Sequence, residues 1–177
     1  MTFAYLVALL LGAQVAISDL MARRVSNRVL LSVLACTAGM QLLQVGGSPP
    51  FADCLLGGAL GLAVLLPFYA IGWMGAGDVK LFSVIGFLLG SSVLLPVWVI
   101  ASLAAGAHAL LLIAWPSLAL YAPPRLLRAV QSLQGPAVFH DWQMDLRSAR
   151  QGRRGIPYAA YMGLALIAVV LQGGTHA

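Results

Sequence analysis

Long apolar runs separated by short polar breaks make up most of the chain. A helix that crosses a bilayer needs about 20 mainly apolar residues, and backbone polar groups in hydrocarbon must be hydrogen-bonded within the protein, which favours helices. The pattern therefore predicts an all-α polytopic membrane protein, a bundle of about six transmembrane helices. The predicted spans are Phe3 to Ser18, Val29 to Val45, Leu55 to Ile71, Val79 to Leu95, Val97 to Tyr121, and Ile156 to Leu171.

The boundary between the fourth and fifth spans is the weakest in the pattern. Only Gly90-Ser91-Ser92 and Pro96 interrupt a nearly continuous apolar stretch there, so a single merged helix and five spans form the alternative. Charge favours six spans, because every Lys and Arg then lies on one side of the membrane. The positive-inside rule assigns that side to the cytoplasm and both termini to the opposite side. These cations are Arg23, Arg24, Arg28, Lys80, Arg125, Arg128, Arg147, Arg150, Arg153 and Arg154.

Composition supports a membrane protein of one domain covering residues 1–177. Of the 177 residues 61% are hydrophobic and 8% are charged, which excludes an ordinary soluble core. The net charge of +5 would suggest nucleic acid as the partner of a soluble protein, but these cations lie in short loops between apolar runs and read as topology signals. We therefore expect the lipid bilayer, and no nucleic acid, as a partner.

The segment of about residues 122–155 is the only extended polar region of the sequence. Its Arg, Phe and Trp residues fit an interfacial amphipathic helix or a basic cytoplasmic loop on anionic lipid. We favour contact with lipid over a role in docking the substrate.

Two aspartates are candidates for chemistry. The chain has five acidic residues, and the predicted topology puts Asp19 at the cytoplasmic end of the first span and Asp78 at the cytoplasmic start of the fourth. At one membrane depth, two carboxylates could share a proton: the ionised one would activate a water and the protonated one would polarise a carbonyl. This is aspartyl-protease chemistry and needs no cofactor. The histidines are isolated in sequence, so we expect no metal site.

A structural role competes with this interpretation, because aspartate is a common helix cap at an interface. For either aspartate considered alone, the capping interpretation is favoured over the catalytic one. The two aspartates are expected at the same membrane depth, and Gly75-Ala76-Gly77 directly precedes Asp78. With these two features, the catalytic interpretation is supported as well as the capping interpretation. Glycines let backbone or an extended substrate approach a carboxylate closely.

Three motifs then resemble the type IV prepilin peptidases, the GxGD-type aspartyl peptidases. The stretch from Gly75 to Leu81 resembles the family motif Gly-x-Gly-Asp-x-Lys-Leu, and Asp19 followed by Val25-Ser26-Asn27 resembles its first aspartate motif. The segment from Arg154 to Ala159 is similar to the Pro-Tyr segment that opens the last helix of short members. The resemblance implies that Asp19 and Asp78 are catalytic and that the leader of a pilin-like precursor is cleaved at the cytoplasmic face.

The chain looks most like the short peptidases of tight-adherence, Flp-type pilus systems. It lacks the N-terminal region with paired cysteines of longer members, so N-methylation of the product is not expected. The resemblance implies a multi-pass protein of the bacterial cytoplasmic membrane, with a prepilin or pseudopilin as partner; the particular pilin and the oligomeric state stay open. Residues expected to support the site or bind substrate are Gly75, Gly77, Lys80, Asn27, Pro157 and Tyr158.

Two other functions remain. A non-catalytic membrane component of a pilus or secretion assembly would use the aspartates for helix packing and would tolerate Asp→Asn at both positions. A small proton-coupled transporter fits less well, because both aspartates are expected at one face, whereas coupling sites usually lie near the midplane.

Overall fold

The structure is a computed structural model that describes residues 3–43, 48–121 and 157–174. Helix is the main secondary structure of these residues, and no strand occurs among them, which confirms the all-α prediction. The helices are α1 (Phe3–Ala22), α2 (Asn27–Leu42), α3 (Phe51–Ala70), α4 (Ala76–Leu89), α5 (Leu94–Tyr121) and α6 (Tyr158–Gly174), with a short 3₁₀ turn at Ser91–Val93. The predicted basic loop or interfacial helix at about residues 122–155 lies outside the described residues.

Within the described ranges, three helical segments are long and apolar enough to cross a membrane: Phe3–Ala22, Phe51–Ala70 and Ser91–Ala114. α6 is a shorter apolar helix, and α4 has 14 residues, which span about 21 Å at 1.5 Å per residue. Large apolar side chains cover the outside of the bundle, as a lipid solvent requires. Leu103, for example, is 69% exposed.

The break between α4 and α5 lies at Gly90, so the merged helix is wrong. Gly90 ends α4 with φ +87° and ψ 176°, a conformation that is essentially restricted to glycine. The predicted boundary near Pro96 is also wrong, because Pro96 lies in the first turn of α5, where a missing N–H leaves no hydrogen bond unmade. α1 extends beyond the predicted end of the first span at Ser18, and Asp19, predicted at the end of that span, lies near the end of α1.

Glycines let two helix pairs approach closely. A Cβ added at Gly57 of α3 would collide with the Gly86 carbonyl of α4, and one at Gly61 would lie 2.8 Å from the Phe82 carbonyl oxygen. A Cβ at Gly12 of α1 would lie 2.7 Å from the Gly163 carbonyl oxygen of α6. Small residues at such interfaces allow van der Waals packing without a hydrophobic driving force.

The core joins these two pairs. Its fully buried side chains include Leu11 of α1, Phe82 and Ile85 of α4, and Met162 and Leu166 of α6. α5 packs on α6, and α2 packs on α4. The contacts among α1, α4 and α6 bring together the helices that carry Asp19, Asp78 and Tyr158.

Candidate active site

Asp19 is a buried carboxylate held by a backbone amide. Its side chain lies near the end of α1 and is 7% exposed. The Ala160 N–H donates a hydrogen bond of 2.9 Å to its Oδ2 atom across 141 residues of sequence. Ala160 lies in the first turn of α6, where amides have no partner within their helix and the helix dipole attracts negative charge. Asp19 thus accepts a hydrogen bond from the start of α6, although it does not line the cavity described below.

Asp78 is fixed by the turn that precedes it. It lies in the first turn of α4, and the Gly75 N–H donates a hydrogen bond of 3.1 Å to its Oδ2 atom. A Cβ added at Gly75 would lie 3.2 Å from that same oxygen, so glycine leaves room for the carboxylate to fold back over the turn. Asp78 therefore caps the start of α4, as expected of an interfacial aspartate. It also lines a cavity.

The two carboxylates interact. The negative charge of Asp19 acts on Asp78, although α1 and α4 are separated in sequence by two other helices. Charges of like sign within reach of each other disfavour double ionisation. The arrangement is suited to a pair of carboxylates that carries one shared proton.

A cavity of about 540 Å³ opens beside Asp78. Tyr158 contributes to its wall, and the Tyr158 hydroxyl and Ser102 Oγ lie 3.0 Å apart in a hydrogen bond between α6 and α5. Gly75 also lines the cavity, so three of the predicted site residues meet there. The lining is Trp73, Met74, Gly75, Asp78, Ala105, Gly106, Ala109 and Tyr158.

Gly77 and Pro157 support the backbone around the carboxylates. A Cβ added at Gly77 would lie 3.3 Å from the Val25 Cβ, so the absence of a side chain lets the connection between α1 and α2 lie against the start of α4. Pro157 is buried directly before α6. Both residues shape the chain near a carboxylate without lining the cavity of Asp78.

Lys80 and Asn27 lie away from the cavity of Asp78. Lys80 Nζ donates to Asn27 Oδ1 at 3.4 Å, in an exposed bond that joins α4 to the start of α2. Both residues line a separate, largely apolar cavity of about 350 Å³ between α2, α3 and α4. Lys80 and Asn27 therefore do not share a cavity with Gly75 and Tyr158, the two predicted supporting residues that line the cavity of Asp78.

Sequence reasoning missed the polar contacts between α5 and α6. His108, isolated in sequence, forms a hydrogen bond with the Tyr161 hydroxyl, and Ser102 pairs with Tyr158. The spacing of Ser102, Gly106 and Ala109 along one face of α5 was the available signal. The partners of Ser102 and His108 belong to a distant helix, α6. In the described ranges no three His, Cys, Asp or Glu side chains form a group that could hold one metal ion.

Comparison with known families gives one match that covers both aspartates. Residues 4–110 match the model of the type IV leader peptidase family; the matched region ends before α6 and Tyr158. Comparison with curated proteins gave no match, and neither did comparison with solved structures. Since the matched residues make up more than half of the 177-residue chain, the chain belongs to the type IV leader peptidase family.

Proposed function

We propose that the chain is a membrane-embedded aspartyl endopeptidase that removes the leader of Flp-type prepilins. One observation carries the proposal: α1 packs on α4 and brings the Asp19 carboxylate within electrostatic reach of Asp78, which lines a cavity large enough for more than a water molecule. In a family of leader peptidases, a carboxylate pair beside a cavity is the arrangement that peptide hydrolysis needs.

The chemistry uses one proton shared by the pair. The ionised carboxylate takes a proton from a water molecule, whose oxygen attacks the scissile carbonyl carbon. The protonated carboxylate donates to the carbonyl oxygen, and a tetrahedral intermediate forms. As the C–N bond breaks, one hydroxyl of the intermediate returns its proton to the ionised carboxylate and the leaving amine takes the proton of the other carboxylate. The products are a carboxylic acid and an amine, and the pair again holds one proton.

The substrate and the location follow from chain features outside the pair. The cations flank the predicted ends of α1, α3 and α5, and the positive-inside rule assigns the carboxylate end of α4 to the cytoplasmic face of the bacterial membrane. A leader peptide joined to a hydrophobic helix would present its junction at that depth. The Pro157-Tyr158 pair supports a Flp-type prepilin.

The test is cleavage of a co-expressed Flp-type prepilin by wild type, Asp19→Asn and Asp78→Asn, with membrane levels of each variant measured. Asp53→Asn is the matched control, because Asp53 is also a helix-terminal aspartate but lies at the other end of the bundle. We expect each of the first two changes to abolish processing in inserted protein, and the control to process the substrate. Processing by an inserted Asp19→Asn or Asp78→Asn variant would contradict the dyad and favour a non-catalytic role.

A further inference from the structure

Two kinds of residue line the cavity beside Asp78. The bulky ones are Trp73 and Met74, from the connection before α4, and Tyr158 from α6. The small ones are Ala105, Gly106 and Ala109 of α5, which we call the α5 wall. Its residues follow Ser102 at spacings of three, four and seven, so they lie on the same face of α5 as Ser102. Ser102 forms the hydrogen bond with Tyr158.

Gly106 is not explained by helix packing. A Cβ added there would meet nothing within 4 Å, whereas at Gly12, Gly57 and Gly61 it would collide with a neighbouring backbone. Glycine inside a helix is less stable than alanine by roughly 0.5–1 kcal/mol. Gly106 is thus a residue of low helix stability that leaves open space in the lining of the cavity that Asp78 also lines.

The size and chemistry of the cavity indicate an apolar occupant. Its volume of about 540 Å³ falls in the range of about 300–1,000 Å³ typical of ligand pockets, far above the roughly 30 Å³ of one water molecule. Trp73 lines the same cavity as the α5 wall, and its side chain is 79% exposed. A cavity lined by an aromatic side chain and by small residues fits an apolar side chain.

We infer that the α5 wall and Trp73 form a subsite for an apolar substrate side chain next to the cleaved bond, and that Gly106 sets the size it accepts. The adjacency follows because Asp78 lines the same cavity. This inference rests on the proposed peptidase function and adds to it the residues that select the substrate.

The experiment introduces side chains of increasing size at position 106. Gly106→Ala and Gly106→Leu are compared with Gly39→Leu, a control in α2 whose Cβ position is also open. Purified variants cleave a panel of prepilins in which each apolar residue flanking the bond is changed to Ala. Thermal denaturation in detergent verifies that each variant is folded.

We expect Gly106→Leu to lower kcat/KM for the unmodified substrate by about 10-fold or more, which is the discrimination that small steric changes in apolar pockets produce. The loss should appear mainly as a higher KM. The kcat/KM of Gly106→Ala should lie between those of wild type and Gly106→Leu, and the kcat/KM of Gly39→Leu should equal that of wild type. One of the Ala-substituted prepilins should restore cleavage by Gly106→Leu.

Two results would overturn the subsite without affecting the proposed function. Wild-type cleavage of the whole panel by Gly106→Leu would show that the wall does not contact substrate. Equal loss on every substrate, in folded protein, would show that the wall is not selective for size. If Gly106→Leu does not fold, the graded test rests on Gly106→Ala, where an unchanged KM overturns the inference. Failure of the wild-type enzyme to cleave any prepilin would instead reject the peptidase proposal.

Discussion

A carboxylate lies beside each end of α4, and the two differ in their surroundings. At the carboxylate end, defined by Asp19, Asp78 and Tyr158, Asp78 accepts from the Gly75 amide and faces a cavity. At the far end, Asp53 of α3 accepts from Ser91 Oγ at 2.6 Å and from the Ser91 amide at 3.3 Å. Both aspartates lie in the first turn of a helix, so position alone does not distinguish a structural carboxylate from a reactive one. Asp78 differs from Asp53 in the cavity that it lines and in the charge of Asp19 nearby.

The largest expected effect is a difference in activity between variants of Asp78 and Asp53. Asp78→Asn should lower kcat about 100-fold or more, since general acid–base groups contribute roughly 10²–10⁴, while its melting temperature changes little. Asp53→Asn should retain turnover per folded molecule and lower the melting temperature, because Ser91 loses a charged acceptor. Turnover in detergent and thermal denaturation of both variants measure this; equal losses of kcat would remove the distinction.

A second prediction concerns stability at the far end. Gly90→Ala should lower the free energy of unfolding by about 1–3 kcal/mol, because its φ and ψ lie in a region that other residues avoid. The added Cβ would also collide with the Asp53 carboxylate. Denaturation of Gly90→Ala is compared with that of Gly39→Ala, whose Cβ position is open. Similar stability of the two variants would show that the turn relaxes easily.

The smallest effect is expected for the bond between α5 and α6 at the carboxylate end. Tyr158→Phe and Ser102→Ala should each lower the free energy of unfolding by roughly 0.5–1.5 kcal/mol, the net contribution of one hydrogen bond. The double variant should lose less than the sum of the two, because the variants remove one shared interaction. Additive losses in denaturation would mean that the pair does not interact in the folded protein.

The sequence predicted the parts of this structure that depend on local pattern. Apolar runs located the helices, and the motif around Gly75 to Lys80 identified Asp78 and the glycine that folds against it. The boundary between α4 and α5 was predicted less accurately, because both Pro96 and Gly90 are residues that generally break helices. Only the backbone conformation shows that Pro96 is tolerated at a helix start while Gly90 ends α4.

Contacts between distant helices could not be predicted from the pattern. Periodicity marks apolar faces but does not say which helices pair, so neither the Ala160 amide on Asp19 nor the Tyr161 partner of His108 was foreseen. The motif also grouped Lys80 with Asp78, whereas the helical turn points the two residues into different cavities.

The hydrogen bond between Asp19 and Ala160 has a consequence for biosynthesis. Asp19 belongs to the first helix of the described chain and Ala160 to the last, so a nascent chain carries Asp19 into the membrane long before its partner is translated. The carboxylate can take its final position only after α6 has been inserted. Assembly of the site is therefore timed by the last helix, which keeps a partly synthesised chain from forming it.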